Sequence, residues 1–218
     1  MNTPTILLLL LSLTIPQPSP AVDVVVPGLD SPIQVPKVPD DAVKVDGNLG
    51  DAAWEKAARI PISFETYPGR NTPAPVRTDC LIAYGERRLY VAFVAHDPDP
   101  DRVRAHYTDR DDAFRNDLVG FSLDPFLDER RGVAFMVNPL GVQMDAKIQG
   151  LGNVDTPFSL SGAPGEDFAW DAIWDAAARI TDRGYQAEIA IPWSALRFPK
   201  DGGPQTWGFV AFRSYPRV

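Results

Sequence analysis

Proline is the residue that most limits what this chain can build. The sequence carries 22 prolines in 218 residues, roughly twice the usual share. Each one fixes its own φ and removes a backbone donor, so long helices with proline in their interiors are improbable. Short strands with proline at their ends, joined by loops, become the expected architecture. A hydrophobic content of 44% and five Trp supply a core for it, which argues against wholesale disorder.

Hydrophobic patterning agrees. Residues 80–84 and 89–96 flank Gly85-Glu86-Arg87-Arg88, a hairpin signal. In the second run Leu89, Val91, Phe93 and Ala95 make one face and Tyr90, Ala92 and Val94 the other. Both faces are apolar, so this strand is expected to be central and covered on both sides. Residues 118–123 read as another strand. Val133, Phe135 and Val137 alternate, Asn138-Pro139-Leu140-Gly141 reverses the chain, and Val142, Met144, Ala146 and Ile148 alternate with Gln143, Asp145, Lys147 and Gln149. That arm is expected to turn its apolar face inward and its polar face to water. Trp174, Ala176, Ala178 and Ile180 form a further hairpin with Tyr185, Ala187, Ile189 and Ile191, and residues 207–212 are a last strand. Helix is expected in two places: residues 52–58, with Asp51 as N-cap and Trp54 and Ala58 on one face, and 193–196 after Pro192. The fold class that follows is all-β, an antiparallel β-sandwich of immunoglobulin or jelly-roll type with one or two short helices.

The length suits one domain with appendages. Residues 6–15 form an apolar run too short to cross a bilayer but suited to a secretory signal, and Ser19-Pro20-Ala21 offers small residues for cleavage before Val22. Residues 1–21 are therefore expected to be a signal peptide, 22–39 a proline-rich linker with one edge strand at 33–35, and 40–218 the sandwich. The protein is expected to be exported. Its 21 Lys and Arg against 29 Asp and Glu give a net charge of −8. That balance disfavours nucleic acid and anionic membrane surfaces as partners. Cys80 is the single cysteine, which excludes a disulfide framework.

Chemistry-bearing motifs are sparse. His96 and His106 are the only histidines, without Cys or His nearby at zinc spacing, and no phosphate loop or nucleophile elbow is present. Acid gathers where strands end: Asp97, Asp99 and Asp101, then Asp109, Asp111 and Asp112, then Asp117, Asp124 and Asp128. Oxygen ligands at loop ends suit Ca²⁺, with Asp97, Asp99, Asp111, Asp117 and Asp128 as the candidates. Solvated carboxylates and turn caps give the same pattern, and paired carboxylates also serve glycosidases. Among the aromatics, Trp54, Trp174 and Trp207 sit in patterned runs that suit a core. Tyr67, in the irregular stretch 64–71, is expected to be exposed, as rings that stack on sugars must be.

Val45-Asp46-Gly47-Asn48-Leu49-Gly50-Asp51-Ala52-Ala53-Trp54 resembles the opening motif of family 9 carbohydrate-binding modules. The resemblance continues through Leu89-Tyr90-Val91-Ala92-Phe93, Asp117-Leu118-Val119-Gly120-Phe121-Ser122-Leu123-Asp124, and Gly184-Tyr185-Gln186-Ala187-Glu188-Ile189-Ala190-Ile191-Pro192-Trp193. Arg110-Asp111, Asp128-Glu129-Arg130-Arg131-Gly132, Phe135-Met136-Val137-Asn138-Pro139-Leu140-Gly141 and Leu196-Arg197-Phe198 are similar to the N-terminal domains of bacterial outer-membrane β-barrel proteins within that group. The resemblance implies a non-catalytic β-sandwich that binds a polysaccharide or oligosaccharide, often beside xylan- or cellulose-degrading enzymes and often with structural calcium. It also implies a C-terminal outer-membrane β-barrel in the full-length protein. The family clamps sugar between two Trp; here the first region offers Phe64 and Tyr67, and the second has no clear counterpart, leaving Trp170 as a further contact candidate. Two rival readings follow from the same residues: a structural or interaction domain without a sugar site, and a component of a glycoside-hydrolysing enzyme.

Overall fold

The computed structural model describes residues 22–26, 31–149, 165–199 and 203–217. The expected signal peptide lies outside them. Strands are numbered here in chain order. One sheet has seven strands, in the order β11 (Glu166–Asp167), β10 (Gln143–Gln149), β9 (Arg131–Val137), β8 (Leu118–Asp124), β14 (Gln205–Ser214), β1 (Val22–Val25) and β2 (Ile33–Gln34). The other has five: β12 (Asp175–Thr181), β13 (Gly184–Pro192), β7 (Arg88–His96), β6 (Thr78–Tyr84) and β3 (Ala58–Pro61). A small arm of β4 (Phe64–Glu65) and β5 (Thr72–Pro73) projects between β3 and β6. The all-β sandwich expected from the sequence is the fold observed.

Two expectations need correction. Residues 22–39 are more than a linker with one edge strand. Val22 and Val24 are buried, and β1 pairs with β14 in parallel, Val22 opposite Gln205, while Lys37 makes a parallel bridge to Tyr84 of β6. The β10 arm does alternate, but its sides are reversed. Met144 and Ile148 pack with Ala113, Leu118, Ala134 and Met136 in a cluster of their own, with Phe114 and Phe168 against it. Asp145 lies opposite Phe135, which belongs to the main core, so the polar face of β10 is the one turned toward the other sheet. Asp145 is completely buried.

The main core fills the space between the sheets. Leu89, Val91, Phe93 and Ala95 of β7 meet a layer in which Phe121 stacks on Phe209 with ring centroids 5.5 Å apart. Burying each large apolar side chain is worth about 1.5–3 kcal/mol. The opposite face of β7, with Tyr90 and Ala92, is covered by Trp54, Ala53 and Val38. The expectation of a central, doubly covered strand therefore holds.

Trp54 comes from helix α1 (Ala52–Lys56), shorter than the expected 52–58 because Ala58 already begins β3. Asp51 does not cap it: its carboxylate accepts the Lys44 backbone N–H at 2.7 Å instead. So short a helix cannot support itself by its own hydrogen bonds, and side-chain anchoring takes over. The fully buried Glu188 of β13 receives the Trp54 indole N–H at 2.8 Å, the Asp46 N–H at 2.9 Å and the Gly47 N–H at 2.7 Å. Gly47 has φ +80° and lies so close to Ala178 that a Cβ would come within 3.1 Å of its carbonyl carbon. Two stretches that carry the family resemblance, 45–54 and 184–193, are thus wired to each other. The second expected helix is a single 3₁₀ turn, Trp193–Ala195.

Glu188→Ala would orphan three donors and should cost about 3–5 kcal/mol, measured by denaturant unfolding; Glu188→Gln, which keeps an acceptor, should cost less. Burial pushes the Glu188 carboxyl above its ordinary range, against the opposing pull of its hydrogen bonds. Its stabilising contribution is therefore fully present below the unfolded glutamate's pKa and falls as pH rises through the higher folded value. In Glu188→Gln that segment of the pH–stability curve should flatten.

Candidate functional site

The arm is built to hold its aromatics in water. The Asn71 N–H donates to the Glu65 carbonyl at 2.8 Å, the Arg70 N–H to Thr66 at 3.1 Å, and the Ala74 N–H to Ser63 at 2.9 Å. Arg70 and Asn71 take positive φ, 47° and 65°, to close the turn. At Gly69 a Cβ would lie 2.1 Å from the Thr72 hydroxyl and 2.2 Å from a Glu65 carboxylate oxygen, so a side chain there would have to displace both groups. On this tied loop Phe64 is 65% and Tyr67 79% exposed. A large ring exposed on a pinned loop stacks on a ligand with little ordering cost.

Trp170 is placed elsewhere. It is half-buried, edge-on to Phe135 at 6.1 Å, with the Lys147 ammonium 5.4 Å from its ring centre. It leads into β12, while the arm follows β3, and these are opposite edges of the five-stranded sheet. Four strand spacings separate those edges, about 19 Å. Trp170 and Tyr67 thus stand apart.

The five aspartates proposed from sequence do not make one site. Asp97 and Asp117 converge, and arginines fill the space between them. Arg217 donates to Asp97 at 2.7 Å and to Asp117 at 2.6 Å, and the Arg213 guanidinium lies 3.8 Å from both. Arg213 also donates to the His96 carbonyl at 2.7 Å and lies over the Tyr185 ring. Asp99 is exposed and gives its backbone N–H to Asp97 at 2.9 Å. Asp128 caps its own turn, accepting the Arg130 and Arg131 N–H groups at 2.9 Å, and these bonds hold its carboxyl below the usual range.

Asp111 joins a different group. Its carboxylate, that of Asp145 and that of Asp171 place oxygen atoms within 4.8 Å of one another. Arg110 occupies this group. Its guanidinium is hydrogen-bonded to Asp145, lies 3.2 Å from Asp171, donates to the Ala172 carbonyl at 2.9 Å and sits over Trp174. The second Asp145 oxygen accepts the Ala172 N–H at 2.7 Å, and Asp111 accepts the Asp145 N–H at 2.8 Å. Burial pushes the Asp111 carboxyl up. Calcium asks for six to eight oxygens, and here both oxygens of Asp145 and one of Asp111 already accept N–H donors.

Sequence reasoning missed Arg110, Arg213, Arg217 and Asp145. Asp145 stood on the face expected to be wet, and no short spacing links Arg213 or Arg217 to Asp97. It also passed over Tyr107, which is 81% exposed.

No protein-family profile matches the chain, and no curated protein sequence matches it. Among solved structures, a candidate carbohydrate-binding protein from Bacteroides uniformis superposes with a TM-score of 0.53 at 14% identity, over 79% of this chain and 73% of that one. The two share a fold. A carbohydrate-binding module of family 9 from Caldicellulosiruptor kristjanssonii aligns with TM-scores of 0.46 in complex with glucose and 0.47 in complex with cellotriose. The identities are 15% and 13%, over 75% and 81% of this chain and 70% and 82% of those chains.

Two outcomes are expected. Arg110→Ala, which leaves the buried Asp145 without its cation, should lower stability by about 3–5 kcal/mol in a denaturant titration. Thermal melts of the unaltered protein in calcium and in chelator should coincide; a higher melting temperature in calcium would show that an ion is held.

Proposed function

We propose that this protein is a non-catalytic saccharide-binding module, with the exposed Phe64 and Tyr67 of the β4–β5 arm as its contact surface. The observation that carries the proposal is the exposure of those two rings on a loop whose backbone is tied by its own hydrogen bonds. Sugars offer apolar pyranose faces that aromatic rings cover, with amides and hydroxyls nearby to take the ring substituents. Asn71 and Thr72 belong to the same arm, Thr72 paired with Glu65. The fold shared with the candidate carbohydrate-binding protein supports this reading, as does the order of the motifs described above.

The ligand proposed is a β-linked glycan of the xylan or cellulose class. The apolar run at 6–15 supports a place of work outside the cytoplasm, in the periplasm or beyond. The likeness of 110–111, 128–132, 135–141 and 196–198 to domains that precede outer-membrane barrels supports association with such a barrel.

Titration with xylan, cellulose and chitin oligosaccharides tests the proposal. Binding to at least one is expected, and Phe64→Ala with Tyr67→Ala should weaken it by about tenfold or more, each ring contributing on the order of 1 kcal/mol. Failure to bind any of them, or binding unaffected by the double change, would refute it.

A further inference from the structure

The far end of the sandwich from the arm holds a cavity of different chemistry. The arm sits where β6 begins; this cleft opens where β6 ends and β7 begins, about 20 Å away at the rise of a seven-residue strand. Its volume is about 930 Å³, at the upper end of the range for small-molecule sites. Arg87 and Arg88 of the β6–β7 turn, Gln143 of β10 and Trp193 after β13 line it, together with Asp40 and Asp175.

Hydrogen-bonding capacity in this cleft is lopsided. Asp40 is used up: it accepts the Tyr90 hydroxyl at 2.9 Å, the Arg87 backbone N–H at 3.4 Å and the Arg87 Nε–H at 3.3 Å. Arg87 is not used up. Its side chain is 81% exposed, and its two Nη groups have no partner among the described residues. Arg88 gives one Nη to Asp175 and keeps its other donors unpartnered among those residues. Asp175 keeps one carboxylate oxygen unpartnered among the described residues, but the larger unspent capacity facing the cleft is donor capacity, in two adjacent guanidinium forks of the shape that takes a carboxylate by two parallel bonds. Trp193 supplies a fixed aromatic wall. Its indole N–H is anchored to the Gly85 carbonyl at 3.2 Å, and its ring is wedged against Tyr84, Phe198 and Trp207.

We propose that this cleft binds a carboxylate-bearing saccharide, a uronic-acid oligomer, with Arg87 and Arg88 on a carboxylate and Trp193 beside a pyranose ring. The choice of a sugar over other carboxylates rests on the saccharide-binding reading above. The site itself is separate from the arm, so the two stand or fall on different variants.

Calorimetric titration with trigalacturonic acid, its methyl ester and citrate tests the proposal. The free acid should bind, and esterification, which blocks the carboxylates and leaves the sugar intact, should weaken binding about tenfold or more. Added salt should weaken the acid and leave the ester unchanged. Arg87→Gln with Arg88→Gln should remove the preference for the acid, while Phe64→Ala with Tyr67→Ala should leave it intact. Exposed ion pairs contribute little to stability, so the arginine variant should melt close to the unaltered protein, and a folded variant that still prefers the acid overturns the proposal. Equal binding of acid and ester, binding of citrate as tight as that of the trisaccharide, or no binding of the acid would also overturn it. Loss of neutral-glycan binding alone would count against the arm and leave the cleft standing.

Discussion

A carboxylate can be enclosed by protein only if something inside replaces the water it loses. That constraint organises this sandwich. The chain is strongly acidic, and Asp97, Asp117, Asp145 and Glu188 all lie inside it. Each is met by donors from a distant part of the sequence. Glu188 draws in the 45–54 motif, Asp145 draws in Arg110 and the segment leading into β12, and Asp97 and Asp117 draw in Arg213 and Arg217. Loops on a β-sandwich are otherwise free to vary. Here they are pinned by charge and hydrogen bonds that reach across the sheets. Removing one partner is costly because the other is then left buried and unpaired.

Much of the scaffold was legible from residue patterns. The β6–β7 hairpin and the doubly covered β7 follow from two apolar faces and a polar turn, and the β12–β13 hairpin from paired alternation. Period-two alternation says which residues share a face; it does not say which face is inside. For β10 the inference failed, because Phe114 and Phe168 form a second apolar layer over Met144 and Ile148 while Asp145 is satisfied within the sandwich. The segment at 22–25 was unreadable for another reason. Four residues show no period, and the partner of β1 lies at the opposite end of the chain.

The functional residues divide in the same way. Tyr67 was expected to be exposed from its irregular, proline-flanked context, and it is. The aspartates looked like ligands because sequence displays carboxylates and hides their partners. Arg110 adjoins Asp111 in sequence, yet its main engagement is with Asp145, thirty-five positions on. The result is a body with its ionic work directed inward and two surfaces left unspent, an aromatic arm at one end and a guanidinium-edged cleft at the other.

The parallel pairing of β1 with β14 carries a consequence for how the molecule is assembled. The first strand of the sandwich to be synthesised has its neighbour in the last strand of the sandwich, Val22 beside Gln205. Until β14 exists, β1 has no seat between it and β2, and its buried valines have nowhere to go. Closing so long a loop is among the slowest events in folding. The N-terminal strand is therefore expected to dock after the rest of the seven-stranded sheet, acting as a latch on a body already formed. A chain crossing a membrane N-terminus first would stay unlatched until β14 had followed.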